Sequence, residues 1–380
     1  MNPLDIARTI LTIFAQSSLH AKQIESLTHS VIGVLNAGPV GVASVGRAHA
    51  AARGVAPKHA IKQFDRFLSN GKINLETAQG DVLRFVLGKR AEITVALDWT
   101  DYADGNHHRI AINLITDHGR ATPLVWKTVT AEELTKRRNE HEDELLRTLK
   151  RLLPESVKQV TVLADRGFGD IKLYDMLKAE LEFDFIIRFR GCIKVRDETG
   201  ERRFAKDWVP SNGSALRLPH AKLTSEEFEV GAVVAVKAAG MKEPWLLATS
   251  LDKSADETAE EYGRRFTIEE NFRDEKDWHF GLGSLYVGIE RTDRRDKMCL
   301  VITIALIIFT LLGHAGEELG LDRVLRANTA KKRTHSLPRQ GREYFRGAMG
   351  KVVDAAQRLL GMFWDILESQ RSWTARTGLI

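Results

Sequence analysis

The sequence predicts an α/β fold: a mixed sheet with flanking helices, interrupted by a β-rich insertion and bracketed by helical N- and C-terminal regions. Three observations predict it. Apolar residues at helical spacing dominate the chain to about residue 85. Three β-rich runs joined by turn residues follow, "EITVALDWTD", "HHRIAINLITD" and "ATPLVWKTVT", and helix-like and strand-like segments then alternate. From Gly191 to about Ser250 the helical pattern disappears, and it returns at about Asp256.

The opening "MNPLDIARTILTIFAQSSLH" carries Asp5 and Arg8 among its apolar residues, which predicts an amphipathic helix and not a signal peptide. "AKQIESLTHSVIGVLNA" continues the helical spacing. "PKHAIKQFDRFLSN" starts on Pro57, suited to a first turn, and runs into Asn-Gly, a stop signal. Its Lys58, His59, Lys62 and Arg66 form a basic face, either a solvated surface or a DNA contact. The three β-rich runs are separated by Asp104-Gly105-Asn106 and Asp117-His118-Gly119, which predict hairpins. "AEELTKRRNEHEDELLRTLKRLLP" predicts one polar amphipathic helix closed by Pro154. "VKQVTVLADRGFGD" is a buried strand ending in Asp-Arg-Gly, "IKLYDMLKAELE" a helix and "FDFIIRFR" a strand. The insertion reads as short strands and turns, and the final helices are interrupted by "HFGLGSLYVG" and "ANTAKKRTHSLPRQG". The expected organisation is a helical region 1–85, a core in two pieces (86–190 and 253–325), the insertion 191–252 and a basic, helical region 326–380.

Composition sets limits. A chain of 380 residues with 43% hydrophobic residues can bury a large core and is not a disordered chain. A net charge of +5 favours an anionic partner only weakly. Two cysteines, Cys192 and Cys299, make neither a disulfide framework nor a zinc site, and a reducing compartment is expected. "MCLVITIALIIFTLLG" is sixteen residues without a charge, short of the roughly 20 that a membrane span needs, so a buried core helix is expected.

Chemistry concentrates in three places. Asp98 sits in the apolar strand "VALDW", where a carboxylate is costly to bury unless paired or bound to a metal; the plainer reading is a strand-end turn aspartate. Asp165 follows "VTVLA" and precedes Arg166-Gly167, where it could equally serve only the turn. The third place is "EYGRRFTIEENFRDEK", Glu261 to Lys276. On a helix at about 100° per residue, Tyr262, Arg265, Glu269 and Lys276 fall within roughly 60° of one another, and Glu270 lies about 100° from Glu269. Two other candidates carry less. His107-His108 has no third ligand at metal spacing, and "HEDE" at His141 lies on a charged helix.

The order of elements resembles a ribonuclease-H-like core with an insertion before its last catalytic helix. The Tyr, Arg, Glu and Lys, separated by two, three and six residues, resemble the signature of a large group of bacterial insertion-sequence transposases of the DDE type. "LDWTD" and "LADRGF" resemble that group's two aspartate motifs, and "RTHSLPRQG" (Arg333–Gly341) a stretch near its C-termini. The resemblance implies that Asp98, Asp165 and Glu269 are catalytic and hold two Mg²⁺ ions, with Mn²⁺ as a substitute. Three carboxylates suit such hard cations, and two ions about 3.5–4 Å apart suit in-line phosphodiester cleavage. It makes Tyr262, Arg265 and Lys276 DNA-end contacts. It makes Trp245, opening "WLLATS", a residue that stacks on a flipped base; the plainer reading is a tryptophan packed inside the insertion. The implied activity is cleavage of the ends of an insertion sequence and transfer of their 3′-OH groups to target DNA. The implied partners are double-stranded DNA, as terminal inverted repeats and target, and a second copy in a homodimer, with no membrane. The implied location is the bacterial cytoplasm, at the nucleoid. The alternative is a domesticated or inactive transposase-like nuclease or DNA-binding protein. The basic cluster "AKKRTHSLPRQGREYFR" is a further expected DNA contact or a solvated loop.

Overall fold

The computed structural model describes residues 1–279, 281–331, 333–347, 353–376 and 378–380; Phe280 and Lys332, which fall in two of the stretches singled out above, lie outside the described residues. Five helices come first: α1 (Pro3–Ile13), α2 (Ala21–Asn36), α3 (Val42–Arg53), α4 (Pro57–Ser69) and α5 (Leu75–Leu87). Local chemistry sets their starts. Asn2 and Asp5 form a reciprocal cap around Pro3, and Pro57 occupies the first turn of α4. Lys58, His59, Lys62 and Arg66 are all exposed along α4, and none is in an ion pair among the described residues.

The hairpin strands are β1 (Glu92–Asp101), β2 (His107–Leu114) and β3 (Thr122–Thr130). The expected single helix after β3 is two, α6 (Ala131–Leu134) and α7 (Arg138–Leu152). Between them Lys136 takes a left-handed backbone, φ 62°. The stretch "LTKRR" offers no apolar face that would hold a continuous helix against the sheet. Then come β4 (Gln159–Ala164), α8 (Ile171–Asp175), which continues as a π turn, and β5 (Asp184–Arg188).

The β-rich segment contains β6 (Lys194–Arg196), β7 (Arg202–Phe204), β8 (Ala215–Pro219), β9 (Lys222–Leu223), β10 (Phe228–Glu229), β11 (Ala232–Val236) and β12 (Trp245–Thr249). Three of these strands join the central sheet, whose order is β3-β2-β1-β4-β5-β12-β11-β8; the other four form a small sheet, β10-β9-β6-β7. The β1–β4 and β4–β5 pairs are parallel and the remaining pairs of the central sheet are antiparallel. This is a mixed α/β fold with a helix-flanked sheet and a β-rich insertion, consistent with a ribonuclease-H-like core.

The C-terminal part contains α9 (Ala255–Gly263), α10 (Thr267–Lys276), α11 (Thr292–Glu318), α12 (Leu337–Phe345) and α13 (Val353–Gln370). The charge-free stretch lies in α11, which is buried among α2, α4, α5, α12, α13 and β3. The "RTHSLPRQG" stretch has a packing role. Ser336 caps α12, Pro338 sits in its first turn, and Gly341 lies against the Phe309 carbonyl of α11. Arg333 donates to the His118 carbonyl (3.1 Å), Arg342 to the Gly281 carbonyl, and Arg339 pairs with Glu343 (2.7 Å).

Inside a helix alanine normally outranks glycine by about 1 kcal/mol. At the α11–α12 crossing the sign should reverse, because a Cβ on Gly341 would penetrate the Phe309 carbonyl and one on Gly313 the Leu337 carbonyl. Gly341→Ala should destabilise the protein by at least about 1–3 kcal/mol, the cost of overpacking. Chemical denaturation reads this directly; a variant as stable as the parent would contradict the close crossing.

Candidate active site

Parallel pairing of β1 with β4 sets Leu97 opposite Ala164. The next residues, Asp98 within β1 and Asp165 just past the end of β4, therefore lie side by side, on backbones about 4.8 Å apart. Side chains alternate along β1, so Asp98 and Thr100 face α10 while Trp99 faces α7. The Trp99 indole donates to Glu142 of α7 (2.7 Å), and the Arg138 guanidinium lies over its ring. Asp165 is the cap of a short 3₁₀ turn, its Oδ1 accepting from Gly167 N–H at 2.7 Å. The turn-forming role is thus real, and it uses one carboxylate oxygen. Asp98 is no exposed strand-end residue: its side chain is 17% exposed.

The signature segment is not one uninterrupted α-helix. α9 and α10 are joined by a 3₁₀ turn, Arg264–Phe266, so ideal 100° spacing fails there. The structure still brings its residues to β1. Arg265, 5% exposed, donates from Nη1 to Asp98 Oδ2 (2.9 Å) and from Nη2 to Glu269 Oε1 (2.7 Å). Lys276 donates to Thr100 Oγ1 (2.7 Å) and to the Asp101 carbonyl. Tyr262 is buried beneath Trp245, whose ring meets it edge-on at 5.0 Å. Trp245 is half-buried and faces the signature segment from β12 rather than the inside of the insertion. Glu270 points elsewhere, pairing with Arg273 (2.9 Å) and Arg120 (3.6 Å).

Burial pushes the Asp98 carboxyl up to about 6; neighbouring Asp165 and Glu269 push the same way, against the pull of Arg265 and the Trp99 N–H. Burial, with Arg109 nearby, brings the Lys276 ammonium down to about 8. Behind Lys276, Arg109 pairs with buried Glu275, which also accepts from Asn271 (2.8 Å); Arg109 donates as well to Cys299 Sγ (3.0 Å). This network anchors the end of α10 to β2. An open cavity of about 460 Å³ lies in front of Asp98 and Asp165, with Arg138, Arg190 and His108 on its walls.

Sequence reasoning missed Phe266, Arg190 and the Arg109–Glu275 pair. Phe266 is 42% exposed and stacks near Trp245 (6.1 Å). Its position beside Arg265 was the available signal; the ion pair, between residues 166 apart, left none.

Three carboxylate side chains are a chemically suitable donor set for Mg²⁺. Their arrangement is not a cage, since among the described residues no three His, Cys, Asp or Glu side chains are grouped to hold a metal ion. The Arg265 guanidinium lies between Asp98 and Glu269 instead.

The raised Asp98 value has a thermodynamic consequence. The folded chain binds this proton more tightly than the unfolded chain, where the carboxyl titrates near 3.8. Asp98 thus contributes stability that is complete below about pH 4 and lost as pH rises through about 6. In chelator, Asp98→Asn should flatten this part of the pH profile and raise the urea midpoint near neutral pH, by up to about 3 kcal/mol for a shift of this size. Parallel wild-type and variant profiles across that range would contradict it.

No curated protein matches the chain. A family model described as the transposase DDE domain matches residues 98–308, from Asp98 itself through Asp165 and the signature segment into α11. With the match covering more than half of its length and both aspartates side by side on a mixed sheet, this chain belongs to the transposase DDE domain family.

Proposed function

We propose that the chain binds DNA across the face carrying Asp98, Asp165 and Glu269, with Tyr262, Arg265, Lys276 and Trp245 as its contacts. The observation that carries this reading is the convergence of Asp98, Arg265 and Glu269 beside Asp165, with Asp98 and Asp165 at an open cavity that Arg138 and Arg190 also line. Arg265 and Lys276 supply a fork and a point charge for phosphate oxygens. Trp245 and Phe266 offer ring faces for an unstacked base. The exposed cations of α4 suit the adjoining duplex, and the protein works as a homodimer because two DNA ends must meet.

Two activities fit this surface. One is end cleavage and 3′-OH transfer, for which Mg²⁺, or Mn²⁺ in its place, is the ion that the oxygen donors suit. The other is DNA binding by a transposase-derived protein without turnover. The carboxylates as they stand favour the second, because Arg265 holds two of them and no metal cage is formed among the described residues.

Duplexes carrying the sequences that flank the gene, incubated with Mg²⁺ or Mn²⁺, separate the two. If the chain cleaves, Asp98→Ala, Asp165→Ala and Glu269→Ala should each lower the rate at least about 100-fold, as expected when a group stabilising the transition state is lost. Glu270→Ala should cost less than about fivefold, since its half-exposed pairs contribute about 1 kcal/mol or less. Binding in a mobility-shift assay with no cut strands under either metal supports the second activity; no DNA binding at all overturns both.

A further inference from the structure

Arg265 is a buried arginine, 5% exposed. Its guanidinium bridges carboxylates from two elements, Asp98 on β1 and Glu269 on α10, at 2.9 and 2.7 Å. It lies over the Phe266 ring, 4.8 Å from its centre, and its Nε is buried with no hydrogen-bond partner. The other Asp98 oxygen accepts the Trp99 N–H at 2.8 Å. Each Asp98 oxygen therefore already accepts one hydrogen bond, and Glu269 is held by the same cation. A divalent ion entering here would have to displace a fixed positive charge a few ångströms away.

A guanidinium does not lose its proton in a protein, so this charge can be moved but not neutralised by titration. What competes for it is an anion that matches its fork, and a phosphodiester does so bidentately. The Glu269 side of the bridge is open, that side chain being 48% exposed, whereas the Asp98 side is closed. A phosphate can therefore approach the guanidinium from the Glu269 edge.

We propose that Arg265 is an internal counter-cation that keeps Asp98 and Glu269 from a divalent ion until a DNA phosphate draws it away, making metal binding at this site conditional on DNA. The inference rests on the DNA-binding reading above, but its central claim concerns the DNA-free chain. It also explains how a donor set of the right chemistry can lack the arrangement of a cage.

The test is Mn²⁺ binding, followed by the loss of free-ion electron paramagnetic resonance signal, with no reaction involved. Without DNA, Arg265→Ala and the bulkier neutral Arg265→Gln should bind Mn²⁺ more tightly than wild type, within the roughly 5–150-fold range of coupled sites. The gain should vanish when Asp98→Ala is added, which ties the ion to this site. Addition of a flanking-sequence duplex should tighten Mn²⁺ binding by wild type and leave Arg265→Gln nearly unchanged. Equal DNA-free affinities for wild type and both folded variants would overturn the proposal. So would a gain that survives Asp98→Ala, or a duplex that binds wild type without changing its Mn²⁺ affinity. Failure to cleave DNA bears on the proposed function alone, because the DNA-free comparison of wild type with the Arg265 variants stands without it.

Discussion

Parallel pairing of β1 with β4 is the constraint on which the site depends. It sets two carboxylates side by side in the middle of an apolar sheet, where burial and the neighbouring Asp165 both raise the Asp98 carboxyl. Such a pair needs a cation in place. The signature segment supplies it, and the rest of that segment is organised to hold it there. Tyr262 and Phe266 wall the guanidinium, Glu269 takes its second edge, and Lys276 ties the far end of α10 to β1. Beneath them the Arg109–Glu275 pair is buried and joined by Asn271 and Cys299, which makes breaking it costly. The charges of the signature segment are thus largely paired, some with one another and most with residues of neighbouring elements.

Much of this was legible in the sequence, for identifiable reasons. Strands β1, β2 and β3 announce themselves by β-branched runs closed by turn residues, and α4 by Pro57 and its trailing Asn-Gly. Glu269 and Glu270 were separable on angle alone, because neighbours on a helix cannot share a face. What stayed hidden depends on contacts between distant residues. The break between α6 and α7 falls where "LTKRR" lacks an apolar face, and the amphipathic pattern on either side of it masked that gap. The entry of β8, β11 and β12 into the central sheet is set by pairing with β5, and short strands carry no address for their partner. The Arg265 bridge needs β1 and α10 together; the family resemblance implied a DNA contact for this residue, and nothing in the sequence pointed to Asp98 as its partner.

Helix α11 illustrates the limit of composition as a guide. The sixteen charge-free residues alone fall short of a membrane span, but the helix of 27 that contains them is long and apolar enough to resemble one. Here the same surface is covered by protein on every side, with Gly313 and Gly316 letting α12 approach its backbone. The "RTHSLPRQG" stretch supplies that cover, and so part of its sequence pattern is explained by steric fit before any partner is considered.

Strand β12 has a mechanical meaning. Trp245 opens it, and its Leu247, Ala248 and Thr249 pair with Arg188, Ile187 and Ile186 of β5, which in turn pairs with β4 beside Asp165. An aromatic side chain carried on a separate module could swing on a linker. This one is mounted on the same hydrogen-bonded frame as the carboxylates, like a second tooth on one comb. Its distance from them is therefore set by strand register, counted in residues along β12, β5 and β4, and not by the length of a linker.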